Sequence, residues 1–341
     1  MENQRLNGRP SRVDIQTIFL SSIKDRLPRH LSLSDEMSEL LHISRDSAYR
    51  RIRKETILSL DEVRILCERY NVSIDSLMEK SSGRVSFEFE AQYGPGLSIK
   101  SWLESVHDCL KMMEAQPDGH IIWHSKELPI FHYFRFPKLA AFKLYWWMNL
   151  SNCETYPPAY NERKVGLDLL ALGERTWHLY SKLSSTEIVS RDLINTTLRQ
   201  VEYAQESGLL APDTAAQLCH ECTELVQLLE DQASQGIKRE DTKQSGGKLE
   251  LYLNELMTGD NTLLFQSSDR HFAFVTYNNF NIMSTCNESF CKQTDQYMKA
   301  MIRKGVLISK VAERERIKFF KGVHQQIENT RSLLTARTEK A

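Results

Sequence analysis

Residues 33–54 constrain the fold more than any other stretch, because the spacing of their apolar residues predicts two short helices joined by a turn at His42. Each helix has one apolar face to bury, formed by Met37, Leu40 and Leu41 in the first and by Ala48 and Ile52 in the second. Ser44 can cap the second helix through its hydroxyl. The small side chains of Ser38 and Ala48 let the helices approach closely, so the stretch is predicted to be a helix-turn-helix.

This stretch resembles the bacterial lambda-repressor/Cro-like (XRE-type) helix-turn-helix regulators, whose second helix enters the major groove of DNA by its N-terminal residues. The family usually has glycine at the turn position that His42 occupies, and histidine tolerates a positive φ better than most residues. The resemblance covers about the first quarter of the chain. It implies that the chain binds double-stranded DNA through the second helix.

The candidate DNA-contacting residues lie on that second helix and at its two ends. Base contacts are expected from Arg45, Ser47, Tyr49 and Arg50, phosphate contacts from Arg51, Arg53 and Lys54, and Ser44 is a further candidate at the helix start. Arginine suits both tasks, since its guanidinium pairs bidentately with guanine edges and also binds phosphate. The competing interpretation is an ordinary charged helix facing solvent, and the capped helices around it favour DNA binding.

Helices on either side of this pair are predicted to complete a five-helix bundle, residues 1–80. Apolar spacing indicates a first helix within residues 11–27. The sequence SLDE at residues 59–62 is a capping box that starts a fourth helix, and a short fifth helix is expected over residues 71–79. Small polar residues at positions 80–84 indicate the end of this domain.

The next region, residues 84–235, is predicted to be mostly helical and to serve regulation and dimerisation. Alternating apolar residues indicate a short strand pair at residues 85–89 and 120–124. Residues 128–150 are the most aromatic part of the chain, so they are expected to be largely buried or to cover a binding surface. Three helices are expected over residues 166–235.

Local signals set the limits of these three helices and of the region that follows them. A capping box, SSTE, is expected at residues 184–187, with Gly208 as a helix stop and Pro212 as a helix start. Polar residues 234–247 indicate a linker. Residues 246–341 are expected to form a small α+β unit of four strands and two helices. The expected fold class is therefore mainly α.

Composition restricts the function further. The chain has 341 residues, of which 41% are hydrophobic and 26% charged, as in soluble globular proteins. Its net charge is -1, so any affinity for nucleic acid must come from a local basic patch. No apolar stretch approaches the roughly 20 residues of a membrane-spanning helix. We expect a cytoplasmic protein with no membrane association.

Four of the seven cysteines are arranged in a way that raises the question of a metal or redox site. Cys219 and Cys222 have CxxC spacing, but they lie on the apolar stripe of a predicted helix and no second such pair is near, which favours packing in the core. Cys286 and Cys291 could form a redox pair, although ordinary free thiols are the favoured interpretation. We expect neither a metal nor a cofactor.

The chain lacks the GxSxG, GxxxxGK[ST], HExxH and GxGxxG motifs, so no enzyme is predicted. The expected function is sequence-specific DNA binding by a transcriptional regulator. Its C-terminal part would form a homodimer and respond to a small-molecule or protein effector. Two alternatives stay open: a helical protein-interaction scaffold with an incidental DNA-binding domain, and an enzyme with an unrecognised site in the C-terminal region. The operator, the sign of regulation and the effector do not follow from the sequence.

Overall fold

The computed structural model describes residues 14–24, 26–27, 31–70, 72–74, 84–89, 99–150, 158–239, 246–256, 261–278 and 281–338. The chain divides into two compact units, Met1–Ser86 and Phe87–Ala341. Within the described residues the first unit is helical, and every strand belongs to the second unit.

The described part of the first unit contains helices α1 (Ile15–Lys24), α2 (Leu33–Leu40), α3 (Arg45–Ile52) and α4 (Leu60–Tyr70). Their apolar faces meet in one core that includes Phe19, Ile23, Met37, Ala48 and Leu66. The four helices confirm the predictions from apolar spacing. Six of the nine residues of the predicted fifth helix lie outside the described residues, and Ile74 packs against this core.

The second unit combines an eight-stranded mixed sheet with helices. Its described helices are α5 (Ile99–Glu114), α6 (Ile130–Tyr133), α7 (Pro137–Leu150), α8 (Leu167–Lys182), α9 (Asn195–Glu206), α10 (Pro212–Gln235), α11 (Glu288–Lys304) and α12 (Glu313–Thr338). Its strands are β1 (Glu88–Phe89), β2 (His120–His124), β3 (Ser184–Val189), β4 (Leu249–Leu253), β5 (Thr262–Gln266), β6 (His271–Asn278), β7 (Asn281–Thr285) and β8 (Val306–Leu307). In space the strands follow the order β1-β7-β6-β5-β2-β3-β4-β8.

The centre of the sheet is parallel and its flanks are antiparallel. Strands β2, β3 and β4 run parallel, with β3 in the middle, whereas β5, β6 and β7 form an antiparallel meander beside β2. Neighbouring residues of one strand point to opposite faces, as with Ile121 and Ile122 of β2. Ile122 packs against α11 with Cys291 and Met298, whereas Ile121 belongs to the main core beneath the other helices. The sheet therefore separates two cores.

The prediction of a mainly α chain, with only a short strand pair before residue 235 and a separate small α+β unit after it, is wrong. Strand β3 pairs with β4 and strand β2 pairs with β5, so one sheet joins strands from both predicted regions. Residues 184–187 are the start of β3 and not a helix cap. Hydrogen-bonded neighbours on both sides fix a central strand, and this tertiary pairing overrides a local capping pattern.

Several local predictions for the second unit are confirmed. Residues 120–124 form β2, and the four strand-like runs after the linker form β4 to β7, whereas only Glu88–Phe89 of the predicted strand 85–89 is extended in a ladder. Pro212 starts α10, and Gly208 follows α9 with a φ of +68°. The aromatic residues Phe131, Phe134, Phe142 and Tyr145 lie in the main core. None of the helices in the described ranges has both the length and the apolar composition needed to cross a bilayer.

Candidate nucleic-acid interface

The turn between α2 and α3 is held by one serine and by an unusual backbone conformation. His42 has a φ of +53°, as expected for the turn position that it occupies. The Ser38 hydroxyl donates to the Ile43 carbonyl at 2.6 Å, and the Ile43 N–H donates to the Ser38 carbonyl at 3.1 Å. Ala48 of α3 is completely buried, which leaves no room for a larger side chain at this helix contact. The angle between the two helices is therefore fixed by packing and by hydrogen bonds.

The first turn of α3 is capped by Ser44, as predicted. Its backbone is extended, with φ −67° and ψ 153°, and its Oγ accepts a hydrogen bond from the Ser47 N–H at 3.2 Å. The Ser44 hydroxyl also donates to the Ser47 hydroxyl at 3.0 Å. Both candidate serines thus have local partners, and Ser44 remains exposed to solvent.

The outer face of α3 is cationic and open to solvent. Arg45, Tyr49 and Arg53 follow one another at intervals of four residues, and Arg50 lies on the adjacent row. The side chains of Arg45, Arg50 and Arg53 are 71%, 58% and 59% exposed. Asp46 is the one acidic residue within this helix. The structure therefore brings four of the candidate DNA-binding side chains together on one surface.

The acidic partners of these arginines are themselves about half exposed to solvent. Arg45 Nε lies 2.8 Å from Asp35 Oδ1, whereas Arg50 and Arg53 share Glu55 at distances of 3.7 and 3.3 Å. Ion pairs with this degree of exposure contribute about 0 to 1 kcal/mol each, because water screens them. A phosphate or a guanine edge could replace these carboxylates at little cost.

Lys54 lies just beyond the end of α3, in a left-handed conformation with a φ of +67°. Its Nζ is 3.5 Å from the carboxylate of Asp14, and both side chains are about half exposed. The Thr17 hydroxyl, and to a smaller extent Lys54, lower the pKa of Asp14. Lys54 is therefore available at the edge of the same surface.

Arg51 differs from the other basic residues because it faces inward. Its guanidinium donates twice to the Glu62 carboxylate, and Nη1 donates to the Ser47 carbonyl at 3.1 Å. The side chains of Arg51 and Glu62 are each only 16% exposed, and hydrogen bonding to Arg51 lowers the pKa of Glu62. The sequence predicted a phosphate contact for Arg51, whereas the structure gives this side chain partners within the unit.

Gln16 of α1 is a positioning residue that the sequence did not reveal. Its Nε2 donates to the carbonyls of Arg51 and Thr56 at 2.8 and 3.0 Å, and its Oε1 accepts from the Leu58 N–H at 3.0 Å. These partners lie 35 to 42 residues away along the chain, so no local pattern could indicate them. One amide therefore fixes both the end of α3 and the loop that follows it.

The cysteines singled out from the sequence are free thiols in the structure. Cys219 and Cys222 are completely buried on α10, which confirms their predicted place in the core, and burial raises the pKa of both thiols. Cys286 is exposed and Cys291 is buried. Among the described residues, no group of three His, Cys, Asp or Glu side chains is arranged to hold a metal ion.

The second unit contains a buried charged cluster around Glu187. The carboxylate accepts hydrogen bonds from Tyr180 and Ser185 at 2.5 and 3.0 Å, and His132 Nε2 lies 3.0 Å away. Lys238 Nζ lies 3.7 Å from the centre of the Tyr180 ring and has no hydrogen-bond partner among the described residues. Burial lowers the pKa of Lys238 to about 7. Burial alone would raise the pKa of Glu187, but His132 and the other partners lower it to about 2.

All five side chains of this cluster are at least 96% buried, so they are not accessible to a substrate. The open cationic face of α3 is the more accessible of the two polar groupings. No protein-family model, no curated protein and no solved structure matches this chain at a significant level.

Proposed function

We propose that this chain is a sequence-specific DNA-binding transcriptional regulator of the lambda-repressor/Cro-like (XRE-type) kind, with α3 as its recognition helix. The observation that supports this most is the division of α3 into two faces. Ala48 is buried in the core of the first unit, while Arg45, Tyr49 and Arg50 are exposed to solvent. The major groove of B-DNA is wide enough to admit a helix, and arginine is the residue that most often reads guanine there.

The exposed residues divide by position into two roles. Arg45 and Ser47 lie in the first turn, and Tyr49 and Arg50 follow on the outward face, which suits contact with base edges. Arg53 and Lys54 lie at the end of the helix, where the phosphate backbone is the nearer target. We assign Arg51 to holding α3 in place, because Glu62 and the Ser47 carbonyl already occupy its guanidinium.

The larger unit is proposed to form a homodimer and to respond to an effector. A single helix-turn-helix makes few base contacts, and proteins that use this motif commonly bind two half-sites about one DNA turn apart as symmetric dimers. Light scattering on the full chain, at concentrations where it occupies its DNA site, tests this part. A particle of twice the chain mass supports it, and a monomer would overturn it.

The DNA-binding proposal is tested by selecting bound sequences from random duplex DNA with the full chain. Arg50→Glu should then weaken binding to the selected duplex by at least about 100-fold, because it removes a contact worth about 1 to 3 kcal/mol and adds repulsion from phosphate. Arg64→Glu is the matched control, since Arg64 lies on α4 with a similar exposure of 60%. Selection of no sequence, or an equal loss in both variants, would contradict the proposal.

A further inference from the structure

The second unit contains a cleft beyond the end of strand β2. It consists of two adjoining cavities of about 310 and 300 Å³, whose shared lining is Trp102, Trp123, Ile130, Asn261, Thr276 and Ile282. Ligand pockets commonly have volumes of about 300 to 1,000 Å³. Its lining comes from α5 on one side and from the face of the antiparallel strands β5 to β7, beside β2, on the other.

The first cavity is lined mainly by apolar and aromatic side chains. Val106, Leu110 and Met113 of α5 form one wall, and Leu263 and Phe274 of the sheet form the opposite one. Two aromatic pairs of the cleft are edge to face: Trp102 with Trp147 at 5.3 Å between centroids, and Trp123 with Phe131 at 5.8 Å. Such pairs favour fixed ring orientations, so this cavity suits a flat apolar body.

The second cavity contains an ammonium group that is already fully satisfied. Lys143 Nζ donates to Glu127, Gln200 and Thr197 at 2.5, 3.0 and 3.3 Å, and it lies 5.2 Å from the centre of the Tyr133 ring. The carboxylate and the aromatic face that would attract a cationic ligand are therefore occupied by the protein's own cation. This arrangement disfavours a cation as the ligand.

An unsatisfied donor and an excess of cations favour an acceptor. Trp123 lines both cavities, and its buried Nε1 has no hydrogen-bond partner within the described ranges. Buried donors are nearly always paired, so a ligand acceptor would complete this site. Lys143 already neutralises Glu127 in the second cavity, so Lys126 is the additional cation of its lining, and Glu88 lines only the first cavity.

We infer that this cleft is a binding site for a planar aromatic carboxylate. The aromatic rings of the ligand occupy the first cavity. The ligand's carboxylate accepts a hydrogen bond from Trp123 Nε1 near Lys126. Binding itself does not depend on the proposed function. Only the further step, in which this class of molecule is the effector of the regulator, rests on that proposal.

Three probes of similar shape test the inference on the full chain by titration calorimetry. We expect 2-naphthoate to bind at one saturable site. The cation 2-naphthylmethylammonium lacks the acceptor, and decahydro-2-naphthoate lacks the flat rings, so both should bind at least about tenfold more weakly. Absence of saturable 2-naphthoate binding, or tighter binding of either other probe, overturns the inference.

Two variants locate the site. Trp123→Phe keeps an aromatic ring, although a smaller one, and removes the donor, so it should weaken 2-naphthoate binding about threefold to tenfold. Trp146→Phe is the matched control, because Trp146 packs against Phe142 and Tyr203 and lines neither cavity. The affinity of this variant for 2-naphthoate should equal that of the wild type. Wild-type affinity in Trp123→Phe, with a normal circular dichroism melt, overturns the assignment.

A surface variant keeps the test decisive if Trp123→Phe fails to fold. Lys126 is exposed, so Lys126→Gln leaves the core untouched. It should weaken 2-naphthoate binding about twofold to fivefold and leave neutral 2-naphthol unaffected. An equal effect on both probes overturns the placement of the carboxylate. If the chain binds 2-naphthoate but selects no DNA sequence, only the proposed function is refuted. If it selects a DNA sequence but does not bind 2-naphthoate, only this site is refuted.

Discussion

The guanidinium of Arg51 and the carboxylate of Glu62 are joined by two hydrogen bonds, Nη2 to Oε1 at 2.6 Å and Nε to Oε2 at 3.1 Å. The same carboxylate accepts the Ser59 N–H at 2.9 Å, while the Ser59 hydroxyl accepts the Glu62 N–H at 3.2 Å. The capping box predicted from the sequence is therefore also the anchor of α3. One acidic side chain both starts α4 and orients the helix before it.

Glu62→Gln should weaken the first unit by about 1 to 3 kcal/mol, because a charged hydrogen-bonded pair becomes a poorer neutral one. The expected result is faster hydrogen exchange in α3 and α4. Glu68→Gln is the control on the same helix, since the pair of Glu68 with Arg64 is about two-thirds exposed. Equal exchange rates in both variants would show that the Arg51–Glu62 pair contributes nothing measurable.

The same pair predicts how stability depends on pH. Arg51 lowers the pKa of Glu62 below its ordinary value of 4.5 in the folded chain. Its contribution is therefore complete above that ordinary value and is lost as the pH falls through the lowered folded pKa. Glu62→Gln should show a shallower loss of protection in acid than the wild type, and parallel curves would contradict this.

Ala48→Glu should unfold the first unit at a much lower temperature. Ala48 is completely buried in the core of the first unit, so a carboxylate there would cost several kcal/mol, on the order of 3 or more, unless the helices separate. Tyr49→Glu introduces the same residue at the next position, where the native side chain is 49% exposed, and it should melt nearly normally. Circular dichroism melts compare the two, and similar melting would mean that the register of α3 is different.

Arg50→Ala should weaken binding to the selected duplex by about 1 to 3 kcal/mol and binding to random DNA much less, because a bidentate guanine contact depends on sequence. Arg64→Ala, on α4, should change neither affinity. Fluorescence anisotropy at one fixed salt concentration measures both. An equal loss on the two duplexes would make Arg50 a phosphate contact.

Gln16→Ala should loosen the loop after α3. It removes one amide that bonds the Arg51 and Thr56 carbonyls and the Leu58 N–H, at a cost of about 1 to 3 kcal/mol. The Leu58 amide should exchange faster with solvent, whereas Ser21→Ala, at an exposed position of the same helix, should leave it unchanged. Unaltered protection of Leu58 would show that Gln16 does not hold the loop.

Lys238→Met should remove a pH dependence from the second unit. The folded pKa of Lys238 is lowered to about 7 by burial, so between about pH 7 and 10 the unfolded chain binds one more proton than the folded one. The stability of the wild type relative to the variant should then rise by up to about 1.4 kcal/mol per pH unit. Urea unfolding followed by tryptophan fluorescence measures this, with Lys182→Met as the exposed control. A constant difference would contradict a neutral Lys238.

Local patterns were sufficient to predict the first unit. Ser44, Ala48 and the capping box at Ser59 act on residues within one or two turns, so their spacing predicted the elements correctly. The orientation of each arginine side chain could not be predicted in this way, because Arg50 and Arg51 are adjacent and chemically identical. Arg51 faces inward because it pairs with Glu62, 11 residues further along the chain. That contact is visible only in the folded structure.

The sheet could not be predicted for a related reason. Strand β3 begins with Ser184, Ser185 and Thr186, which also suit a helix cap, and it includes Glu187, a residue type that is seldom buried. Its strand partners β2 and β4 are about 60 residues away on either side. Residues 184–189 form a strand because they pair with distant strands and because hydrogen bonds satisfy the buried Glu187 carboxylate.

The interleaved order of the strands also matters for synthesis on the ribosome. β2 and β3 emerge before their neighbours β5 and β4, which are translated only after residue 248. Until then, both sides of this parallel pair present unpaired backbone groups that can capture strands of other nascent chains. Premature termination after α10 would leave this state permanently, so a truncated product should be prone to aggregation, whereas the described core of α1 to α4 contains no residue of a strand.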